Sequence, residues 1–177
     1  MEEPIALIRP DDSLLEEIVA YRQEFIDAES SMDGCGPLRQ TADPREWLEF
    51  NARMAHRDTV PENRVAATQY VLLRLPERKI LGMIQIRHYF NDYLRRFGGH
   101  IGYSVRPGER RKGYATRMLR ECLPLCRDLG LIKILITCLA DNEGSRRTIL
   151  SSGGVYESTV REPDEKANLE RYWIYLN

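Results

Sequence analysis

Cationic side chains crowd one junction of this chain. In the stretch GYSVRPGERRKGYATRML, from Gly102 to Leu119, Arg106, Arg110, Arg111, Lys112 and Arg117 stand around two glycines, between an apolar run and a helix-like one. Residues of these types at a strand–loop–helix junction can hold an anion. The first turn of a helix has backbone N–H groups with no intrahelical partner, and the macrodipole adds partial positive charge there. Gly113 and the small Ala115 let an anion approach the main chain, and the flanking cations reinforce it. Three readings compete: a nucleic-acid patch, a cradle for a phosphate or pyrophosphate, and the solvated start of a helix. The sequence has neither GxxxxGK followed by Ser or Thr nor GxGxxG, so the two common nucleotide loops are excluded.

The charge balance weighs against nucleic acid. The formal net charge is −1, whereas a protein bound mainly through phosphates carries a net basic surface. Acids are spread through EEP, DDSLLEE and REPDEK while the bases cluster, which suits a local anion site. At 177 residues, 42% hydrophobic and 30% charged, the chain reads as a single soluble globular domain. No apolar run approaches the roughly 20 residues that cross a bilayer, and the acidic opening MEEPIALIRPDD does not resemble a secretory signal. Cys35, Cys122, Cys126 and Cys138 form no CxxC pair and read as small buried thiols, not metal ligands. A cytoplasmic, reduced protein with no metal and no membrane partner is expected.

The elements that must position the junction follow from periodicity. IALIRP predicts a strand ended by Pro10, and residues 11–28 a helix capped by Asp11 or Asp12. SSMDGCGPLRQ has the chemistry of a surface loop. Residues 43–57 predict a second helix, with Asp43 as cap and Pro44 in its first turn. AATQYVLLRL and KILGMIQIRHYF, joined by PER, predict an antiparallel hairpin. HIGYSV is a further strand that Pro107 must end. Residues 113–130 put Ala115, Met118, Leu119, Cys122, Cys126 and Leu129 on one helical face, with a kink expected at Pro124 and a stop at Gly130. IKILITCL reads as a strand buried on both faces, DNEGSRRTILSSGG as a short capped helix, and VYESTV and LERYWIYL as closing strands around a loop at 161–168. Tyr172, Trp173 and Tyr175 read as sheet-packing residues, with a dimer edge as a secondary use. The order predicts a mixed α+β fold with helices around one sheet.

On these elements, Val105-Arg106-Pro107 followed by Arg110-x-x-Gly113-x-Ala115 resembles the acyl-coenzyme A signature, Gln/Arg-x-x-Gly-x-Gly/Ala, of the GCN5-related N-acetyltransferase family. A buried strand, then Asn142-x-x-Ser145, then Gly153, is similar to that family's fifth strand and the helix after it. These motifs span about residues 98–156; outside them the resemblance lies in the order of elements. It implies a central, mostly antiparallel mixed sheet with helices on both faces, splayed between strands 4 and 5. It further implies direct transfer of an acetyl group from acetyl-coenzyme A to a primary amine, with no acyl-enzyme, or alternatively a non-catalytic acyl-coenzyme A-binding module. Arg110, Arg111, Lys112, Gly113, Tyr114, Ala115 and Thr116 would hold the coenzyme pyrophosphate. Tyr103, Ser104 and Val105 would pair with the pantetheine arm as with an added strand. Asn142 would contact the pantetheine, and Ser145 would cap the next helix.

Such chemistry needs a neutral amine, a polarised thioester carbonyl and a proton for the leaving thiolate. A backbone N–H near Val105 can polarise the carbonyl. The positions where the family often has its base and acid hold Gly99 and Ile149 here, which transfer no proton. The replacement candidates are His88, at the end of the preceding strand, and His100, which alternation turns away from the Gly99 side. Tyr103, on the Gly99 face, and Tyr156 are further candidates, and for each the competing reading is a packed structural residue. The acceptor would be a small-molecule or peptide amine, its pocket shaped by ESSMDGCGPLRQ and the first two helices. Asp27, Glu29, Asp33 and Asp92 tilt that choice toward a cationic small amine or an amino-acid or peptide amine. A homodimer is compatible, and nucleic acid is not expected.

Overall fold

The computed structural model describes residues 4–177. Alternating apolar residues fold into an antiparallel meander of β1 (Ile5–Ile8), β2 (Ala67–Arg74), β3 (Lys79–Arg87) and β4 (Ile101–Val105), neighbours in that order. A second antiparallel sheet places β7 (Ala167–Tyr175) between β5 (Lys133–Leu139) and β6 (Val155–Glu162). The single sheet read from the sequence is therefore divided in two, and the division falls between β4 and β5.

Helices cover both faces, as period-2 alternation along β2 and β3 requires. Val71, Leu73, Ile80 and Met83 pack with residues of α1 (Leu15–Asp27) and α2 (Pro44–Met54). Leu72, Leu81, Ile84 and Ile86 instead pack with α3 (Tyr114–Asp128) and with Ile149 of α4 (Glu143–Ser151). The cores are aliphatic and aromatic, with Trp47, Tyr21 and Phe25 fully buried beneath α1 and α2.

Local chemistry explains the boundaries. Asp11 accepts the Ser13 N–H at 2.8 Å and starts a short turn that leads into α1. Asp43 accepts the Arg45 N–H at 2.9 Å, with Pro44 opening α2. That helix stops at Met54, three residues short of the expected end. α3 buries Met118, Leu119, Cys122 and Cys126 and runs through Pro124, which is exposed, to Asp128. The strands β6 and β7 extend further than predicted, leaving only residues 163–166 as their turn. Tyr172 is buried while Tyr175, on the other face, is exposed, so only part of the aromatic tail packs into the core. Among the described residues no helix is long and apolar enough to cross a membrane.

Candidate active site

β4 and β5 touch at one point and part from there. The His100 N–H donates to the Leu135 carbonyl at 2.8 Å, and the Leu135 N–H donates to Nδ1 of His100 at 2.9 Å. His100 thus supplies a side-chain acceptor where a ladder would use a carbonyl. Its ring stacks on Phe90 with centroids 4.0 Å apart, and burial pushes its pKa down to about 4. The ring is neutral at physiological pH and carries its proton on Nε2. Gly99 beside it has φ +66°, and a Cβ there would stand 2.6 Å from the Leu135 carbonyl oxygen. The close approach of the strands explains why this position has no side chain to act as base.

From that apex the strands open into a cavity of about 880 Å³. The Arg87 N–H donates to the His100 carbonyl and the Arg106 N–H to the Leu81 carbonyl, both at 2.8 Å. Because an antiparallel ladder alternates, the N–H groups of Tyr103 and Val105 point away from β3, into the opening. Every residue predicted to hold coenzyme lines the cavity except Lys112. His88 and His100 do not line it. His88 lies against β2, its Nε2 2.8 Å from the Thr68 hydroxyl, and its pKa is lowered by burial and by the neighbouring Arg57, His56 and Arg9.

Most of the clustered cations have structural partners. Arg106 is buried, with Nε 2.7 Å from Glu24 and Nη1 2.9 Å from Glu17, and it also donates to the Ile80 carbonyl at 3.0 Å. Lys112 turns to Glu109 at 2.8 Å, and Glu109 also receives Lys79 at 2.8 Å and Arg74 at 3.2 Å. Burial would raise the Glu109 carboxyl, but hydrogen bonds from Lys112, Lys79 and Arg74 prevail and hold it at about 2. Arg117 pairs with Glu121 at 2.7 Å. Arg110 is strapped to the Val105 carbonyl at 3.1 Å and the Ser30 hydroxyl at 2.7 Å. Arg111 alone of the five makes no hydrogen bond or ion pair among the described residues, and it lines the cavity. With φ of +63° at Arg111 and +83° at Gly113, the loop bends left-handed into the start of α3. A Cβ at Gly113 would meet nothing within 4 Å. At this junction the cavity is faced by the unpaired Arg111, by Arg110 with neutral partners only, and by the first-turn N–H groups of a 15-residue helix, a site for a compact anion.

A second pair of groups spans the opening. The Tyr103 hydroxyl of β4 lies 2.6 Å from the Ser145 hydroxyl of α4, and burial pushes the phenol pKa up to about 12. Ser145 does not cap α4: Asn142 does, accepting the Ser145 N–H at 3.0 Å. That division of labour leaves the serine hydroxyl for Tyr103. Ser104 faces the opposite way, its hydroxyl 2.9 Å from Tyr21 and 3.4 Å from Cys35, so only its main chain serves the cavity edge. Ile149 is wholly buried, and a Cβ at Gly154 would come within 2.5 Å of it; this helix position points into the core. Tyr156 is exposed and bonded to Thr159 at 2.8 Å, outside the cavity lining.

The sequence model of the acetyltransferase (GNAT) domain matches residues 6–155. The chain belongs to that family. No curated protein matches it by sequence. Its fold is that of solved GNAT structures. The ribosomal-protein-S5-alanine acetyltransferase from Vibrio fischeri superposes with a TM-score of 0.75 at 16% identity, covering 100% of this chain and 95% of the other. A ribosomal L7/L12 alpha-N-protein acetyltransferase in complex with coenzyme A gives 0.73 at 12% identity, over 99% and 96% of the two chains. The spermidine N-acetyltransferase from Vibrio cholerae, in complex with coenzyme A and spermine, gives 0.66 at 17% identity, over 99% and 97%.

In this GNAT chain the other end of the cavity was largely missed by sequence reasoning. Arg87, Tyr93, Phe97 and Glu165 line it beside Asp33, which had been singled out only for its charge. The loop carrying Asp33 lies main chain to main chain on β4: Gly34, at φ +70°, would place a Cβ 2.3 Å from the Gly102 carbonyl oxygen. The glycines of DGCG were the available signal, since they mark a close backbone approach.

Proposed function

We propose that the chain transfers an acetyl group from acetyl-coenzyme A directly to a primary amine of a small molecule or peptide. The observation that carries this reading is the joining, in one cavity, of a free β4 edge and the cation-flanked start of α3. The first-turn N–H groups of α3 and the Arg111 guanidinium hold the pyrophosphate. The outward N–H groups at Tyr103 and Val105 pair with the pantetheine arm, and one of them polarises the thioester carbonyl. Asn142, whose Oδ1 is used in capping, offers its amide NH₂ to the same arm.

Attack by the amine expels a thiolate, which requires a proton. Tyr103, protonated at physiological pH and bonded to Ser145, is the proton donor this geometry favours, in place of the two histidines. Asp33 and Glu165, the carboxylates that line the cavity, accept the amine proton through water. The test is release of coenzyme A thiol across a panel of primary amines, with wild type and Tyr103→Phe. Turnover by wild type and its loss in the variant, with coenzyme binding retained, support the reading. Coenzyme binding without transfer to any amine would instead identify a non-catalytic acyl-coenzyme A-binding module.

A further inference from the structure

On the acceptor side of the cavity stands a cation for which the fold provides no counter-charge. Arg87 ends β3 and turns its guanidinium beneath β4. Its Nη1 donates to the carbonyls of Gly98 at 3.0 Å and Gly99 at 3.3 Å, which fixes the group in place. Its Nη2 lies 3.2 Å from where a Cβ at Gly102 would be, so the absent side chain of Gly102 is what gives the guanidinium room. Nε and Nη2 have no hydrogen-bond partner among the described residues, and Arg87 lines the cavity. Arg106 is matched with Glu17 and Glu24, Arg74 with Glu109 and Arg146 with Glu170, while Arg22, bonded only to carbonyls, spends both Nε and Nη2 on them. Arg87 has no carboxylate within 4.0 Å among the described residues. Burial lowers its affinity for a proton, and the charge of Asp33 opposes that from a distance.

A half-buried guanidinium, fixed in place and with two donors open to the cavity, offers an anion a planar edge that matches a carboxylate. The same group would repel a second ammonium, which argues against a polyamine. Position narrows the choice. Gly102 and Ser104 share one face of β4 and Tyr103 takes the other, so Arg87 and the Tyr103 hydroxyl approach the cavity they both line from opposite sides of the strand edge. A carboxylate held on Arg87 places the acceptor across that edge from Tyr103, with its amine directed to the opening. Asp33 in the same wall complements an ammonium as it arrives.

Building on the acetyltransferase reading above, we propose that the acceptor is an amino acid and that Arg87 binds its carboxylate. The experiment uses the wild-type chain with acetyl-coenzyme A, measuring thiol release with the common amino acids, the carboxamide of each active one, a peptide blocked as its C-terminal amide, and spermidine. Amino acids are expected to be accepted, and conversion of the carboxylate to the amide to lower kcat/KM by about 10- to 100-fold, mainly through KM. Arg87→Gln should erase the preference for acid over amide. A circular dichroism melt accompanies that variant, and the wild-type comparison stands without it. Amides, the blocked peptide or spermidine used as well as the acids would overturn the proposal, as would acetyl-coenzyme A binding with no amino acid turned over. Calorimetry separates these outcomes from failure of the parent reading: absence of acetyl-coenzyme A binding would sink the acetyltransferase assignment and this one with it.

Discussion

Tyr103 and Ser145 touch across a gap that no ladder closes, and the proposed proton transfer rests on them. A positioned general acid contributes about 10²–10⁴-fold to rate. Tyr103→Phe should therefore lower kcat by at least about 100-fold with little change in acetyl-coenzyme A affinity; a full-rate variant would return the proton to water or another group. His100 makes a different prediction. Its folded pKa of about 4 lies below the ordinary value of about 6.5, so the unfolded chain binds more protons between those limits. Stability from this group is present above pH 6.5 and is lost as pH falls toward 4. Urea unfolding should show a loss of about 2 kcal/mol between pH 7 and pH 5, and His100→Gln should flatten that slope. None of this was legible from residue type. Asn142 and Ser145 were indicated by the family resemblance, but which of them caps the helix is decided by orientation, and a histidine that bridges strands looks in sequence like one that transfers protons.

Among the elements, α3 explains why so much positive charge stands at one junction. Arg106 holds α1 to β3, Lys112 belongs to the Glu109 cluster, Arg117 pairs with Glu121, and the charges of Arg110 and Arg111 are left for a ligand. Glu109 is buried among three cations, so Glu109→Gln leaves Arg74 and its neighbours without their anion and should cost about 3 kcal/mol, read as a shift in the urea midpoint. Its carboxyl is held at about 2, below the ordinary carboxylate value. The stability it adds is thus complete above about pH 4.3 and lost as pH falls toward 2; the variant should lack this steep acid limb. Strands and helices were readable because apolar residues recur at periods of 2 and 3.6. The break after β4 was implied only by family resemblance, since periodicity within two strands does not say whether their edges pair.

The whole molecule works as two sheets hinged at His100 and Leu135 and held open beyond them. One arm of the opening carries the proposed anion cradle, whose residues line the cavity and come from a continuous stretch of sequence that a local pattern can mark. The other arm gathers Asp33, Arg87, Tyr93 and Glu165 from distant segments, and no local pattern joins them. Calorimetric titration of acetyl-coenzyme A into wild type, Gly113→Ala and Gly113→Glu tests the proposed binding of the coenzyme at the start of α3. Gly113 has φ +83°, so both variants carry backbone strain of about 1 kcal/mol, while only glutamate puts a negative charge into the cradle. Wild type should bind, Gly113→Ala should bind somewhat more weakly, and Gly113→Glu should lose at least about 10-fold further, the equivalent of about 1.4 kcal/mol. No binding by wild type, or equal binding by the alanine and glutamate variants, would rule out a coenzyme site at the start of α3.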